Sequence, residues 1–198
     1  MFLVSRPREA AIRSLLAAHK DRPFSYAELG ASRNQAPDGY AVDHSRVELG
    51  HGASVFERAT DAVRRWQMFQ MPWIQLCWPS TPIDVGATVG VLVSHLGFWS
   101  LNACRVVYVL EDHGSCERFG FAYGTLAGHA EIGEERFTVE FHSEDKSVWY
   151  DIYAFSRPGS PLARLAYAYP RRLQRRFARD SKLAMKSAVQ NSGVQGGA

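Results

Sequence analysis

The chain has little of what marks disulfide-rich, zinc-ribbon or membrane-spanning proteins. Its three cysteines, Cys77, Cys104 and Cys116, are odd in number and widely spaced, so neither a disulfide framework nor a zinc ribbon is expected. No run reaches the ~18 apolar residues that a membrane-spanning helix requires. The apolar patch at residues 1–4 is shorter than a signal-peptide core of about 7–15 residues, so we expect a cytoplasmic protein.

Several catalytic and binding motifs are also missing. The chain contains no GxSxG elbow, no catalytic cysteine signature, no GxGxxG turn and no phosphate-binding loop, so no cofactor is expected. It contains no helix-turn-helix pattern, no zinc-finger pattern and no RNA-binding aromatic signature, so specific nucleic-acid binding is not expected. The sequence offers no third ligand to join His129 and Glu131, so no metal site is expected either.

What remains is the composition of one globular domain with an uneven charge. Its 198 residues are 46% apolar and 22% charged, which fits a single domain of roughly 100–200 residues. The formal net charge is only +3, yet residues 161–186 contain eight lysines and arginines and one acid. This basic segment is typical either of a solvated helix face or of a surface that binds anionic lipid or nucleic acid.

The periodicity of apolar residues predicts a helix, a long antiparallel meander and a C-terminal helix. Helices are predicted over residues 7–19 and 54–68, the second opening on a capping box of Ser54 and Glu57. A C-terminal helix opens at Ser160 and Pro161, is interrupted at Pro170 and continues to about residue 189. Alternation predicts main strands over 88–95, 99–110, 119–126, 134–142 and 148–155, and shorter ones at 44–49 and 73–77.

Separate runs of strands and helices indicate an α+β fold. We divide the chain into an N-terminal helix and loop-rich segment (1–39), a single α+β domain (40–190) and a disordered tail (191–198). A curved antiparallel sheet wrapped around one long helix leaves room for a cavity between the two, where small ligands bind.

Several separated segments carry a family resemblance. They are FGFAYGTLAGHAEIGEERFTVEF at 119–141, HLGFWSLNACRVVYV at 95–109, VWYDIYAFSRP at 148–158 and RRLQRRFARDS at 171–181. Over about residues 24–188 the chain resembles the bacterial and plant family called domain of unknown function nineteen-ninety. That family has no established activity, so the resemblance implies membership and not a function.

The order of elements also resembles the START-like, polyketide-cyclase-like helix-grip superfamily. In that fold a curved antiparallel sheet holds a long C-terminal helix over a hydrophobic cavity. Its members include lipid and hormone binders, cyclases and chaperone activators, so the likeness implies a fold and leaves the function open.

Two residues are candidates for acid–base catalysis. Glu135 shares a strand face with Phe137, Val139 and Phe141, where a carboxyl group must be paired or hold a proton. The alternative is that Glu135 lies solvated at the strand end. His129 lies with Glu131 in a glycine-flanked loop that is suited either to closing a cavity mouth or to a structural role.

Six further residues are candidates for lining a ligand cavity. Each offers a polar group on a strand face that is otherwise apolar, and each has a structural alternative as a satisfied core group or ion pair. For Asp151, the arginine partner is predicted to be Arg105 or Arg136. The six are His95, Arg105, Tyr123, Thr125, Asp151 and Tyr153.

Three functional hypotheses follow from this pattern. The first is binding of a small hydrophobic or lipid-like molecule between sheet and helix. The second is a cofactor-free enzyme of cyclase, isomerase or hydrolase type that uses Glu135 with His129 or His95 as acid and base. The third is contact with an anionic surface through the basic C-terminal helix.

Overall fold

The computed structural model describes residues 2–129, 131–159 and 168–191. Within those ranges the chain forms eight strands and three α-helices. In chain order they are β1 Phe2–Leu3, α1 Glu9–His19, β2 Ala41–His51, α2 Ala53–Arg64, β3 Ile74–Cys77, β4 Thr88–His95, β5 Phe98–Asp112, β6 Cys116–Thr125, β7 Glu131–His142, β8 Ser147–Pro158 and α3 Ala168–Asn191.

The strands form one antiparallel sheet in the order β2-β8-β7-β6-β5-β4-β3, and β1 pairs with β5. From β4 to β8 each strand lies beside the strand that precedes it in the chain, so β3 to β8 form an uninterrupted meander. The pairing of β2 with β8 then joins the beginning of the domain to its last strand. The predicted α+β helix-grip architecture, with its N-terminal helices, is confirmed.

The main core lies between the concave face of the sheet and the helices α2 and α3. Alternate residues of β7 point into it, including the fully buried Phe137 and Val139, because successive strand residues face opposite sides of a sheet. Helix α3 contributes Phe177, Met185 and Val189 from its inner side. The core is therefore built from one stripe of the long helix and one face of the meander.

Helix α2 begins differently from the prediction. Gly52 holds the N-cap position with a φ of 94°, and no side chain caps the helix, so the predicted capping box of Ser54 and Glu57 is wrong. After Arg64 the chain turns at Trp66, whose φ is 55°, and the indole Nε1–H donates to Thr81 O at 2.8 Å. This turn buries the Trp66 ring under the sheet.

A second, smaller core covers the outer face of the sheet. Ile12 of α1 packs there against Cys77, Leu92 and Leu101 of β3, β4 and β5. The meander is thus apolar on both faces where α1 covers it, which weakens the alternation signal in the sequence.

Pro170 lies in the first turn of α3, where its missing N–H costs no helical hydrogen bond. The predicted helix opening at Ser160 and Pro161 lies outside the described residues, and so does the predicted tail beyond Asn191. Among the described residues, no helix combines the length and the apolar character that crossing a membrane requires.

Gly120 marks a close approach between β6 and β7. An added Cβ would lie 2.2 Å from Phe137 O and 2.8 Å from Thr138 Cα, and backbone atoms cannot yield without distorting the ladder. We expect Gly120→Ala to lower the free energy of unfolding by about 1–3 kcal/mol, measured by urea denaturation. Gly114→Ala is the matched control, since its Cβ meets nothing within 4 Å. Equal losses in the two variants would contradict the steric explanation.

Candidate functional site

A cavity of about 260 Å³ lies between the concave face of the sheet and helix α3. Its size is near the lower end of small-molecule sites, about 300–1,000 Å³. Strands β2 to β8 all contribute to its floor and walls, and the inner stripe of α3 lies over it. Its apolar lining includes Phe69, Trp73, Ile74, Val91, Val93, Ile152, Ala154, Leu173, Phe177 and Ala178.

Glu135 and Tyr123 form the polar centre of the cavity wall. They are opposite each other in the register of β6 and β7, so their side chains rise from the same face of the sheet. The Tyr123 hydroxyl donates to Glu135 Oε2 at 2.9 Å. On the other side of Glu135, in β8, lies Ala154, whose small side chain leaves space beside the carboxyl group.

Burial changes the proton affinity of this pair. It raises the pKa of Glu135 to about 7, helped by the negative charge of Asp43 and opposed by the hydrogen bond from Tyr123. Burial and the neighbouring Glu135 raise the pKa of the Tyr123 phenol well above its ordinary value, so Tyr123 stays neutral. Near neutral pH the cavity therefore holds a carboxyl group that both gives and takes a proton readily.

His129, in the loop after β6, and Glu131, the first residue of β7, also line the cavity. The Glu131 backbone N–H donates to His129 Nδ1 at 3.0 Å, and burial lowers the pKa of the imidazole to about 4. The ring is therefore neutral at pH 7, with its proton on Nε2. Burial raises the pKa of Glu131, whose Oε2 is buried without a hydrogen-bond partner among the described residues.

His95 and Thr125 line the cavity as well. The His95 ring lies 5.7 Å from the Tyr169 ring of α3, and burial lowers its pKa. The Thr125 hydroxyl accepts the Gly133 N–H at 3.0 Å and lies 2.6 Å from Ser25 Oγ. Five of the eight sequence-predicted residues thus reach the cavity wall, and their catalytic or binding roles remain predictions.

Arg105, Asp151 and Tyr153 do not line the cavity, because they lie on the outer face of the sheet. The Arg105 guanidinium donates to the last carbonyls of α1, at 3.0 Å from His19 O and 2.6 Å from Lys20 O. It therefore holds the C-terminal end of that helix against the sheet.

The other two residues have structural partners on the same outer face. Asp151 is paired with Arg136 at 3.0 Å, one of the two partners predicted, and with His44 at 2.6 Å. The Tyr153 hydroxyl accepts the Ala36 N–H at 3.0 Å, which ties the N-terminal segment to β8. Alternation correctly groups residues by face, but it does not say which face is concave.

Among the cavity-lining residues that the sequence did not predict are Asp43, Ala154 and Gln174. Asp43 of β2 accepts hydrogen bonds from Arg171 of α3, one of them at 2.9 Å, and closes one side of the cavity. Ala154 carries a signal in the sequence, since it is the smallest residue in a strand of large ones. Gln174 carries no such signal in the sequence, because it reaches the cavity only through the way α3 lies over the sheet.

Within the described ranges, one side-chain cluster has metal-binding atoms in proximity. One ligand atom each from Cys116, Glu140 and His142 lies within 4.8 Å of the others. Glu140, however, is already 2.6 Å from the Arg46 guanidinium and 3.3 Å from that of Arg118. Two positive charges on its carboxylate favour an ion-pair network over a bound cation.

The basic residues of α3 divide into two groups. Arg171 pairs with Asp43, Lys182 donates to Ser45 Oγ at 2.6 Å, and Arg176 lies 4.3 Å from the centre of the Trp73 ring. These contacts fasten the helix to the rest of the domain. Arg172 and Arg175 are exposed on its outer side, so contact of this helix with an anionic surface stays a prediction.

A curved antiparallel sheet, a long C-terminal helix and a cavity between them define a helix-grip protein. The chain belongs to the family described as Domain of unknown function (DUF1990), whose pattern matches residues 25–184, and the resemblance read from the sequence is confirmed.

Relatives in the family come from distant organisms. A UPF0548 protein of Deinococcus radiodurans is 39% identical over 90% of this chain and 94% of its own length. One from Dictyostelium discoideum is 33% identical over 96% of each chain, and one from Arabidopsis thaliana is 34% identical over 85% and 82%.

Two similar solved structures are Ara h 8.0201 and human STARD10. The first is 12% identical, with a TM-score of 0.46 over 77% of this chain and 99% of the other. The second is 9% identical, with a TM-score of 0.45 over 95% and 82%.

Proposed function

We propose that the protein binds a small, largely apolar molecule in the cavity, with the Glu135–Tyr123 pair as its polar anchor. The observation that carries this proposal is the Glu135 carboxyl group, which is half-buried and faces the cavity among apolar side chains. A site of this kind, mostly apolar with a few polar groups that fix orientation, is the usual composition of a ligand pocket.

The energetics of Glu135 support a binding role over a purely structural one. Among the described residues, its carboxyl group receives one hydrogen bond, from Tyr123, although it has acceptor capacity for more. A half-buried carboxyl group among apolar side chains, with hydrogen-bonding capacity unused by the protein, costs some stability. A ligand that supplies the missing partner recovers part of that cost.

Blocking the cavity tests this proposal. Leu173→Trp adds volume inside the cavity, whereas Leu183→Trp makes the same change on the exposed side of the same helix, where Leu183 is 57% exposed. We expect the parent protein to bind the neutral fluorophore N-phenyl-1-naphthylamine, measured by its emission. Leu173→Trp should weaken binding at least about tenfold, and Leu183→Trp should not.

A second cavity variant keeps the test valid if Leu173→Trp fails to fold. Ala154→Leu fills the space beside Glu135 from the sheet side, and the melting temperature of each variant is measured first. Unchanged probe affinity in a folded Leu173→Trp and a folded Ala154→Leu would rule out the cavity as the binding site.

The second candidate function is acid–base catalysis without a cofactor. It is favoured by the pKa of Glu135, which burial raises to about 7, since a general acid or base works best with a pKa near the operating pH. The test is to extract the molecule that co-purifies with the protein and incubate it with fresh enzyme. Conversion by the parent protein but not by Glu135→Gln, with an apparent pKa near 7, would support catalysis.

A further inference from the structure

The cavity wall carries acidic groups and, among the described residues, no lysine or arginine. Its ionisable lining residues are Asp43, His95, Cys104, Tyr123, His129, Glu131, Glu134, Glu135 and Tyr169. Both histidines have pKa values lowered by burial, so they are neutral at pH 7. The cavity is therefore a site of negative character with an apolar lining.

Two of the four acids are already neutralised or fully bonded by the protein. Asp43 is paired with Arg171, and the Glu134 carboxylate turns to the outer face of the sheet, where it accepts hydrogen bonds from Tyr26 at 2.7 Å and from the Gly30 N–H at 2.8 Å. Glu135 has neither an arginine nor a lysine partner, and its described hydrogen bond comes from a neutral phenol.

Glu131 adds a second unused acceptor. Its Oε2 atom is buried without a hydrogen-bond partner among the described residues, which is a costly state for a carboxyl oxygen. Glu135 accepts a hydrogen bond from Tyr123 and Glu131 one from Ser156, so each carboxyl group is partly bonded and has acceptor capacity left for a ligand.

We propose that the ligand of this cavity is a hydrophobic amine, bound as its ammonium cation with the charge on Glu135 and the hydrocarbon among Phe69, Ile152 and Phe177. The inference rests on the proposed function, because it names the class of ligand for the same cavity. An ammonium group donates up to three hydrogen bonds, so it can donate to the Glu135 carboxylate, whereas a carbonyl or ether oxygen has no hydrogen to donate. In a low-dielectric site such a charge-assisted bond is stronger than a neutral one.

The pH dependence of binding depends on which groups surround Glu135. By element they are Asp43 on β2, His95 on β4, Cys104 on β5, Tyr123 on β6, His129 in the loop after β6, Glu131 on β7, Tyr150 on β8, and Tyr169 and Arg171 on α3. Burial raises the pKa of Cys104, Tyr123 and Tyr150, so all three stay neutral up to pH 8. Asp43 and Arg171 neutralise each other.

Ionisation of Glu135 is then the main change on this wall between pH 6 and pH 8, since its pKa is about 7. Because the carboxylate is the form that attracts the ammonium group, amine affinity should rise about tenfold from pH 6 to pH 8.

The test compares three small probes of matched shape by isothermal titration calorimetry. They are 2-phenylethylamine, which is cationic, 2-phenylethanol, which is neutral, and phenylacetate, which is anionic. At pH 8 we expect the amine to bind at least about tenfold more tightly than the alcohol, and phenylacetate most weakly. Only the amine should gain affinity between pH 6 and pH 8.

Glu135→Gln removes the charge while preserving the shape of the side chain. It should therefore weaken binding of the amine by about 10- to 100-fold and leave the affinity for the alcohol nearly unchanged. Glu111→Gln is the matched control, since Glu111 is exposed at the end of β5, outside the cavity. The inference is overturned if amine and alcohol bind with equal affinity, or if Glu135→Gln leaves the amine affinity unchanged. In either case, binding of N-phenyl-1-naphthylamine would still support the cavity as a binding site. Loss of binding for that neutral fluorophore as well overturns the proposed function itself.

Discussion

Glu135→Gln is expected to be more stable than the parent protein at pH 8, by about 1–3 kcal/mol. Burial raises the pKa of Glu135 from an ordinary 4.5 to about 7, so in the folded protein this group is harder to ionise. Above pH 7 the folded protein therefore carries an ionised Glu135 in a desolvated place, and this lowers its stability. The amide of the variant carries no charge and keeps an oxygen that accepts the Tyr123 hydroxyl.

The sign of the pH dependence follows from proton counting. Between pH 4.5 and pH 7 the folded protein binds more protons at this site than the unfolded chain, so stability falls as pH rises through that window. The advantage of the variant should be complete above pH 7 and vanish below about pH 4.5. His129, with its pKa lowered to about 4, destabilises both proteins as pH falls below about 6.5 and cancels in their difference.

Urea denaturation of both proteins at several pH values between 4.5 and 8 measures this difference. Glu111→Gln serves as the control, because an exposed carboxyl group should give no pH-dependent gain. A difference between Glu135→Gln and the parent that does not vary with pH would show that Glu135 is not the buried titrating group.

Glu134→Ala is expected to cost at least about 3 kcal/mol of unfolding free energy. The buried Glu134 carboxylate, 3% exposed, accepts hydrogen bonds from the Tyr26 hydroxyl, the Gly30 and Ser32 N–H groups and the Ser32 hydroxyl. It is the anchor that holds the N-terminal segment on the outer face of the sheet. Its removal leaves several donors without partners at once.

Amide hydrogen exchange shows where in the chain the stability is lost. The Gly30 and Ser32 amides should exchange much faster in Glu134→Ala, while Glu134→Gln, which keeps one acceptor oxygen, should lie between the variant and the parent. Glu9→Ala, which breaks an exposed pair with Arg13, should cost about 0.5 kcal/mol or less. Unchanged protection at Gly30 and Ser32 would contradict the anchoring role.

Much of the fold could be predicted because strand periodicity is a local property. In β4 the predicted face of Val89, Val91 and His95 is the concave one, and in β7 Glu135 shares its face with Phe137 as predicted. Side chains two residues apart must share a face of an unbroken strand, whatever packs on it.

The prediction that Arg105, Asp151 and Tyr153 line the cavity is wrong, because both faces of their strands are covered. Helix α1 and the N-terminal segment pack on the outer face, so apolar residues appear on both sides and the contrast between faces is lost. The groups that Arg105 and Tyr153 contact, in α1 and at Ala36, are far away in sequence and close only in the folded chain.

The sequence by itself determined the family, the order of the elements and the grouping of residues by strand face, since each depends on residue types at short spacing. Tertiary structure alone decided which face is concave and placed Tyr123 against Glu135 through the register of β6 and β7. It also decided the protonation of Glu135, because a pKa depends on how much water and charge surround the group. Those surroundings come from several elements of the chain, and only folding assembles them around one carboxyl group.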